Sequence, residues 1–345
     1  MEQTVEKTPA ELMQEFYTKK LYLSYSGLSK MMYSPSLYYR HYILQQREEK
    51  LESYLIDGKV IHCLLLDDGS FDKHFMLMPS SLPTGNTKLV VDKVYDIVKE
   101  APGLLENYTV EIIDILKEIN LHQSLADDKK DLSNTGDKKR LEKILTEESK
   151  SYFEFLKIKG EKDLLDTETM QRCNEAVTAV RNDARCSNLL GLIRHEMENI
   201  DVFNEILVTT EPIDKEQPFG LKGILDNIKV DYDAKKIYVN DLKTTGKTIV
   251  DFRDTVEYFN YWIQAAIYER LIRDSFKDLL TEEWEIITHF IVVDKYNQVY
   301  PFKVSSDTMN EWQVRLNGAL AEFKWHYTEK KYDLPYAYAT CDIVL

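Results

Sequence analysis

The spacing of apolar side chains changes character along the chain. Up to Asn182 they recur every three or four positions, the period of helices packed on one face. From Val202 onward they alternate with polar residues, the period of strands. Read in order, this predicts a helical leader and then an aromatic-rich helix over Ser24–Leu44, with Ser24 or Ser26 as N-cap and a break at Ser34–Pro35. A second helix over Tyr54–Leu66 sets Gly58 and His62 four apart, on one face. After a loop at Pro79–Asn86, a charged helical stretch runs from Thr87 to Phe155. The segment DDKKDLSNTGDKKR at 127–140 interrupts it and is too polar to bury, so an exposed turn is expected there. A helix over Thr167–Asn182 precedes strands at Val202–Thr210, Gly220–Val230 and Lys236–Lys243. A long helix over Val256–Phe276 follows, then strands at Trp284–Val293 and Val299–Val304, then a last helix. This order predicts an α/β fold with a central mixed sheet flanked by helices, not an alternating βαβ series. The expected parts are an N-terminal helical part (1–86), a helical insertion or arm (87–165) and a core (166–345).

Candidate chemistry concentrates in the strands. GILDNI at 223–228 is followed by VNDLKTT at 239–245. Side chains alternate along a strand, so Asp241 and Lys243 point the same way. The separation of fifteen positions from Asp226 to Asp241 suits one antiparallel strand–turn–strand connection, which brings Asp226 alongside. Two carboxylates at strand ends make a hard-oxygen site suited to Mg²⁺ or Mn²⁺, with the Leu242 carbonyl as a further ligand. A lysine beside such a site can orient an attacking water and stabilise negative charge on a phosphate. Taken alone, the Asp241–Lys243 spacing equally describes a solvated strand face, whose ion pair contributes little.

Further features in chain order change that balance. LSYSGLS at 23–29, SPSLYY at 34–39, DGKVIHCLLLD at 57–67, Glu205, the Asp226 and Asp-Leu-Lys core, and QAAIY at 264–268 together cover most of the chain. In this set the sequence resembles the PD-(D/E)XK nuclease superfamily, and within it the RecE-like, exonuclease VIII-type branch of phage and prophage enzymes, with RecB-type nucleases as more distant kin. The resemblance implies a restriction-endonuclease-like core that hydrolyses DNA, with Asp226 and Asp241 as metal-binding acids and Lys243 as the catalytic lysine. It implies that His62 approaches the metal from the helical side; a packed core histidine is the alternative. Glu205 resembles the upstream acid of the same site, as a partner of a ligand or a ligand through water; an exposed strand-edge Glu is the alternative. Gln264 and Tyr268 resemble the Gln-x-x-x-Tyr motif that borders DNA. Lys222, Thr244 and Lys247 are expected to contact phosphate, and Arg40 with Tyr39 to touch a DNA end, although solvated surface side chains are the commoner explanation.

The resemblance further implies resection of double-stranded DNA ends in phage-type recombination or repair, a single-strand annealing partner, a homo-oligomer, and a cytoplasmic setting in a bacterial or phage-infected cell. An endonuclease of the same superfamily, or a catalytically silent DNA-binding or assembly protein with the same fold, is the alternative.

Charge bears on this reading. With 59 acidic against 44 basic residues the net charge is −15, so the overall field repels nucleic acid and any DNA contact needs a local basic groove. The four cysteines, Cys63, Cys173, Cys186 and Cys341, form no C-x-x-C pair, and only Cys341 lies late in the chain, so neither zinc nor an iron–sulphur cluster is expected. GKT at 246–248 lacks the glycine of a phosphate-binding loop, since Asp241 stands in its place, and no ATP site is expected. HEMEN at 195–199 lacks the second histidine of a zinc-protease helix, and no Gly-x-Ser-x-Gly elbow occurs. The N-terminal MEQTVEKTPAELMQEF has neither the basic start nor the apolar run of an export signal, and no membrane association is expected.

Overall fold

A computed structural model describes residues 7–46, 53–79, 81–122, 135–193, 199–213 and 215–341. Residues 127–134 of the expected polar turn and 195–198 of HEMEN lie outside these. The chain divides into two compact units, Met1–Asp68 with Arg172–Leu345, and Gly69–Gln171.

The first unit is built on a six-stranded mixed sheet. Strands β4 (Ile200–Thr209), β5 (Gly220–Asp231) and β6 (Lys236–Thr245) are antiparallel neighbours. Strand β7 (Glu285–Asp294) runs parallel to β6, and β8 (Val299–Lys303) antiparallel to β7. The two-residue β1 (Tyr22–Leu23) pairs parallel with the start of β5. Parallel neighbours cannot be joined by a hairpin, so β6 and β7 need a crossover. Helices α10 (Phe252–Tyr258) and α11 (Tyr261–Ser275) supply it.

The single helix expected over Val256–Phe276 is therefore two. They part at Phe259–Asn260, where Asn260 takes φ 56°, a left-handed conformation that asparagine tolerates better than most side chains. The Asn260 side chain holds the bend: its Oδ1 accepts from Trp262 Nε1 at 3.1 Å and its Nδ2 donates to Ser29 Oγ at 3.4 Å. Apolar period alone does not reveal such a break, because both helices bury residues in the same core.

That core joins Ile263, Ile267 and Leu271 of α11 to Leu225, Ile228, Phe290 and Val292 of the sheet. Trp312, Leu316 and Phe323 come from α12 (Ser306–Glu329). Tyr268 lies so close beneath β5 that a Cβ on Gly223 would stand 2.6 Å from its ring. Only a bare backbone fits there. Towards the N-terminus, Ser24 is the N-cap of α2 (Tyr25–Tyr33), and its side chain accepts from Gly27 N. The expected break falls at Ser34, which is extended and caps a short turn of helix over Pro35–Tyr38.

Among the described residues of the second unit, four helices, α4 (Gly85–Val98), α5 (Thr109–Glu118), α6 (Thr135–Ile144) and α7 (Glu147–Lys159), gather Val90, Val94, Ile112, Leu116, Ile144 and Phe153 into a separate core. Two three-residue strands, β2 (Phe75–Leu77) and β3 (Asp163–Leu165), pair in parallel. Three residues are too few for alternation to show. Helix α6 occupies part of the segment expected as an exposed turn, and Arg140 within it is buried, its Nε donating to the His122 carbonyl at 3.2 Å. An arginine buries its methylene stem when its head finds an acceptor, which polarity counts overlook. Among the described residues, no helix is long and apolar enough to cross a membrane.

The three antiparallel strands are tied in register by an amide ladder. Asn204, Asn227 and Asn240 are cross-strand partners. Asn240 Nδ2 donates to Asn227 Oδ1 and Asn227 Nδ2 to Asn204 Oδ1, each at 2.7 Å. The same amides reach the Leu189 and Leu190 carbonyls at the end of α9 (Ala184–Leu189), and Asn204 reaches the Leu66 carbonyl at the end of α3 (Ser53–Leu66). Removing the middle rung by Asn227→Leu strands buried donors and acceptors on both sides. The expected loss is on the order of 3 kcal/mol in urea unfolding; a loss below about 0.5 kcal/mol would show that the ladder is incidental.

Candidate functional site

Each acid of the expected site adjoins one rung of that ladder in sequence: Asn204–Glu205, Asp226–Asn227 and Asn240–Asp241. Alternation turns the Asp226 and Asp241 carboxylates away from the amides. Pairing between β5 and β6 runs from Asp231↔Lys236 to Asn227↔Asn240 and stops there. The next residue on each strand is Asp226 or Asp241, so the two carboxylates flank the point where the strands part. The Leu242 N–H, left without a carbonyl by the separation, donates to Asp226 Oδ2 at 2.8 Å.

His62 reaches the same point from α3. Gly58, one turn earlier, lets that helix approach β6; a Cβ there would stand 3.2 Å from Thr244 Oγ1. His62 Nε2 lies 2.9 Å from the Leu242 carbonyl. A carbonyl only accepts, so Nε2 carries the hydrogen, and Nδ1 of the neutral ring is left with its lone pair. That nitrogen stands 3.6 Å from Glu205 Oε1 and 3.7 Å from Asp226 Oδ2. Glu205 sits opposite Asp226 in a ladder that skips it, and it holds φ 49° in the middle of β4. For a residue with a side chain that backbone costs about 1–2 kcal/mol.

His62, Glu205 and Asp226 thus offer one ligand atom each, all within 4.8 Å of one another. A divalent ion with bonds near 2.1 Å spaces neighbouring ligands about 3 Å apart and opposite ones about 4.2 Å apart. The three fit it.

Asp241 and Lys243 form the other half. Lys243 Nζ is 2.6 Å from Asp241 Oδ2 and 4.7 Å from the centre of the Tyr261 ring. Asp241 Oδ1 accepts from Gln264 Nε2 at 2.7 Å, and Gln264 Nε2 also donates to Tyr268 Oη, whose hydrogen goes to the Ile224 carbonyl. Asp241 Oδ2 is buried, with the Lys243 ammonium as its partner.

The charges shape one another. Burial works against the His62 imidazolium, but Asp226 and Glu205 outweigh it and lift the pKa above its ordinary value. Burial pushes the Asp241 carboxyl up to about 6, against the pull of Lys243. Burial also disfavours the Lys243 ammonium, yet Asp241 and Asp226 prevail and keep it charged.

Gln264 and Tyr268, expected to border DNA, are buried; Gln264 Nε2 donates to Asp241 and to Tyr268, and Tyr268 donates to the β5 backbone. The Leu242 carbonyl, expected as a metal ligand, accepts from His62 Nε2. Thr244 is half-buried against Gly58. Arg40, Lys222 and Lys247 are exposed, and among the described residues neither Arg40 nor Lys222 has a hydrogen bond or ion pair to this group. Tyr261 was not foreseen, because an aromatic at the start of a helix carries no sign of the lysine it faces. The three Asn–acid neighbours were a legible signal of the ladder.

No family profile and no curated protein matches the sequence. Among solved structures, the chain is similar to the crystal structure of a candidate exonuclease from Eubacterium rectale, with 12% identity over 98% of this chain and 95% of that chain and a TM-score of 0.45.

Metal binding at His62 requires its proton to leave. Because the pKa is raised, Mn²⁺ affinity measured calorimetrically should fall as pH drops through that raised value. Between pH 8 and pH 6 an ordinary imidazole of pKa 6.5 would give a decline of about fourfold; here it should be larger. His62→Asn should weaken binding and flatten the profile, whereas an equally steep profile in that variant would remove His62 from the coordination.

Proposed function

We propose that this protein is a divalent-metal-dependent nuclease that hydrolyses DNA phosphodiester bonds, of the PD-(D/E)XK kind. The observation that carries the reading is the meeting of Asp226, Asp241 and Lys243 where β5 and β6 part, with His62 and Glu205 completing a ligand set beside them.

A divalent cation held by His62, Glu205 and Asp226 would polarise a phosphoryl oxygen and lower the pKa of a nearby water. One imidazole nitrogen among carboxylates suits Mn²⁺ better than Mg²⁺, although both are accommodated. The Leu242 carbonyl keeps His62 in the tautomer that presents Nδ1. Lys243, fixed between Asp241 and the Tyr261 ring, holds a positive charge where negative charge grows on the phosphate and donates a hydrogen bond that orients the attacking water. The water oxygen bonds to phosphorus and releases its proton to solvent, the bridging P–O bond breaks, and the departing oxygen takes a proton from solvent. Gln264 and Tyr268 hold Asp241 in the plane that Lys243 requires.

Within this reading, the RecE-like pattern of the sequence supports an exonuclease that resects double-stranded ends in phage-type recombination or repair. A homo-oligomer and a single-strand annealing partner accompany that role. Lys222, Lys247 and Arg40 are the exposed cations for phosphate.

The test is incubation with linear and circular duplex DNA in Mg²⁺, Mn²⁺ or EDTA. Linear DNA should be degraded only with metal, and Lys243→Ala, Asp226→Asn and Asp241→Asn should each lower the rate by about a hundredfold or more while keeping the circular dichroism of the parent. Cleavage of circular DNA as well would make the protein an endonuclease of the same chemistry. No cleavage of any DNA, with binding retained, would make it a catalytically silent DNA-binding protein.

A further inference from the structure

The junction between α10 and α11 exposes two adjacent aromatic rings, Tyr258 at 76% and Phe259 at 48% of their full surface. Large apolar rings left in water on a well-packed unit mark a contact surface. The junction is also fastened. The Phe259 carbonyl accepts from Tyr25 Oη at 2.5 Å, and the next residue, Asn260, is held by Trp262 and Ser29.

The rings lead directly to the reactive lysine. Tyr258 meets Phe259 edge-on at 4.8 Å, Phe259 stacks on Tyr261 at 5.6 Å, and Tyr261 lies 4.7 Å from Lys243 Nζ. A cation stands over the outer end, Lys247 Nζ being 5.9 Å from the centre of the Tyr258 ring.

We propose that Tyr258 and Phe259 form a stacking platform for unpaired bases at the end of the strand being cut, with Lys247 on its phosphate. Aromatic faces bind any base through its π-surface, and a neighbouring cation tracks the backbone. An unpaired strand end is the occupant that requires both features beside a phosphodiester site. The net charge of −15 makes such local, stacking-based affinity the means by which the strand is retained near the carboxylates. The proposal rests on the nuclease reading and refines its substrate to ends with unpaired bases.

The experiment measures binding without cleavage. Single-stranded oligonucleotides carrying 2-aminopurine near one end are titrated with the full chain in Ca²⁺, following anisotropy and 2-aminopurine fluorescence, beside cleavage assays in Mn²⁺. The parent protein should quench the fluorophore and bind. Tyr258→Ala/Phe259→Ala should lose the quenching and weaken binding by about tenfold or more, and Tyr258→Trp/Phe259→Trp should restore both. If the parent cleaves DNA but the double alanine variant binds and quenches like the parent, the platform is overturned and the nuclease reading stands. If the parent neither cuts nor binds any DNA, both fall. If the alanine variant instead turns a dimer into a monomer in sedimentation, with strand binding unchanged, the rings are a contact between copies and the platform is overturned.

Discussion

The separation of β5 from β6 after the Asn227–Asn240 pair is the constraint from which the rest of the site follows. While two strands are paired, backbone groups consume one another and side chains on one face stand too close for an ion and a substrate. Where they part, backbone donors and acceptors are released and must find new partners. Here the released Leu242 amide goes to Asp226 and the Leu242 carbonyl to His62. The opening is thus filled by the groups proposed to carry the chemistry, and the amide ladder one residue back keeps it from zipping shut or spreading.

The site has two electrostatic halves that share this opening. On one side, two carboxylates crowd an imidazole and favour its protonated form. On the other, a lysine lying over the Tyr261 ring is kept charged by a buried aspartate that is itself held by a glutamine. In each half a buried charge stands beside a partner, without which its burial would be costly.

Much of the sheet was legible in the sequence, because β4 alternates along its whole length and the turn residues between strands are conspicuous. The meeting of Asp241 with Lys243 followed from a period of two. What escaped was decided by geometry that no period records. Asn260 interrupts an apolar pattern without altering it. Gln264 and Tyr268 have the right spacing for a shared face, yet which face, inward or outward, depended on Gly223 leaving room for the Tyr268 ring. Glu205 looks like any strand-edge acid until its backbone conformation and the position of His62 are known together.

Glu205, Asp226, Asp241, Lys243 and Gln264 all belong to consecutive elements of the back half of the chain, whereas His62 comes from α3, with the whole of Gly69–Gln171 intervening. Closing so long a loop is entropically expensive and belongs to the slow, late part of folding. The lysine half can form with the β6–α10–α11–β7 segment, but the ligand set is complete only when the two ends of the discontinuous unit have come together. An ion that needs His62 therefore binds the finished fold in preference to partly assembled states, and its free energy of binding is added to the joining of the two chain segments.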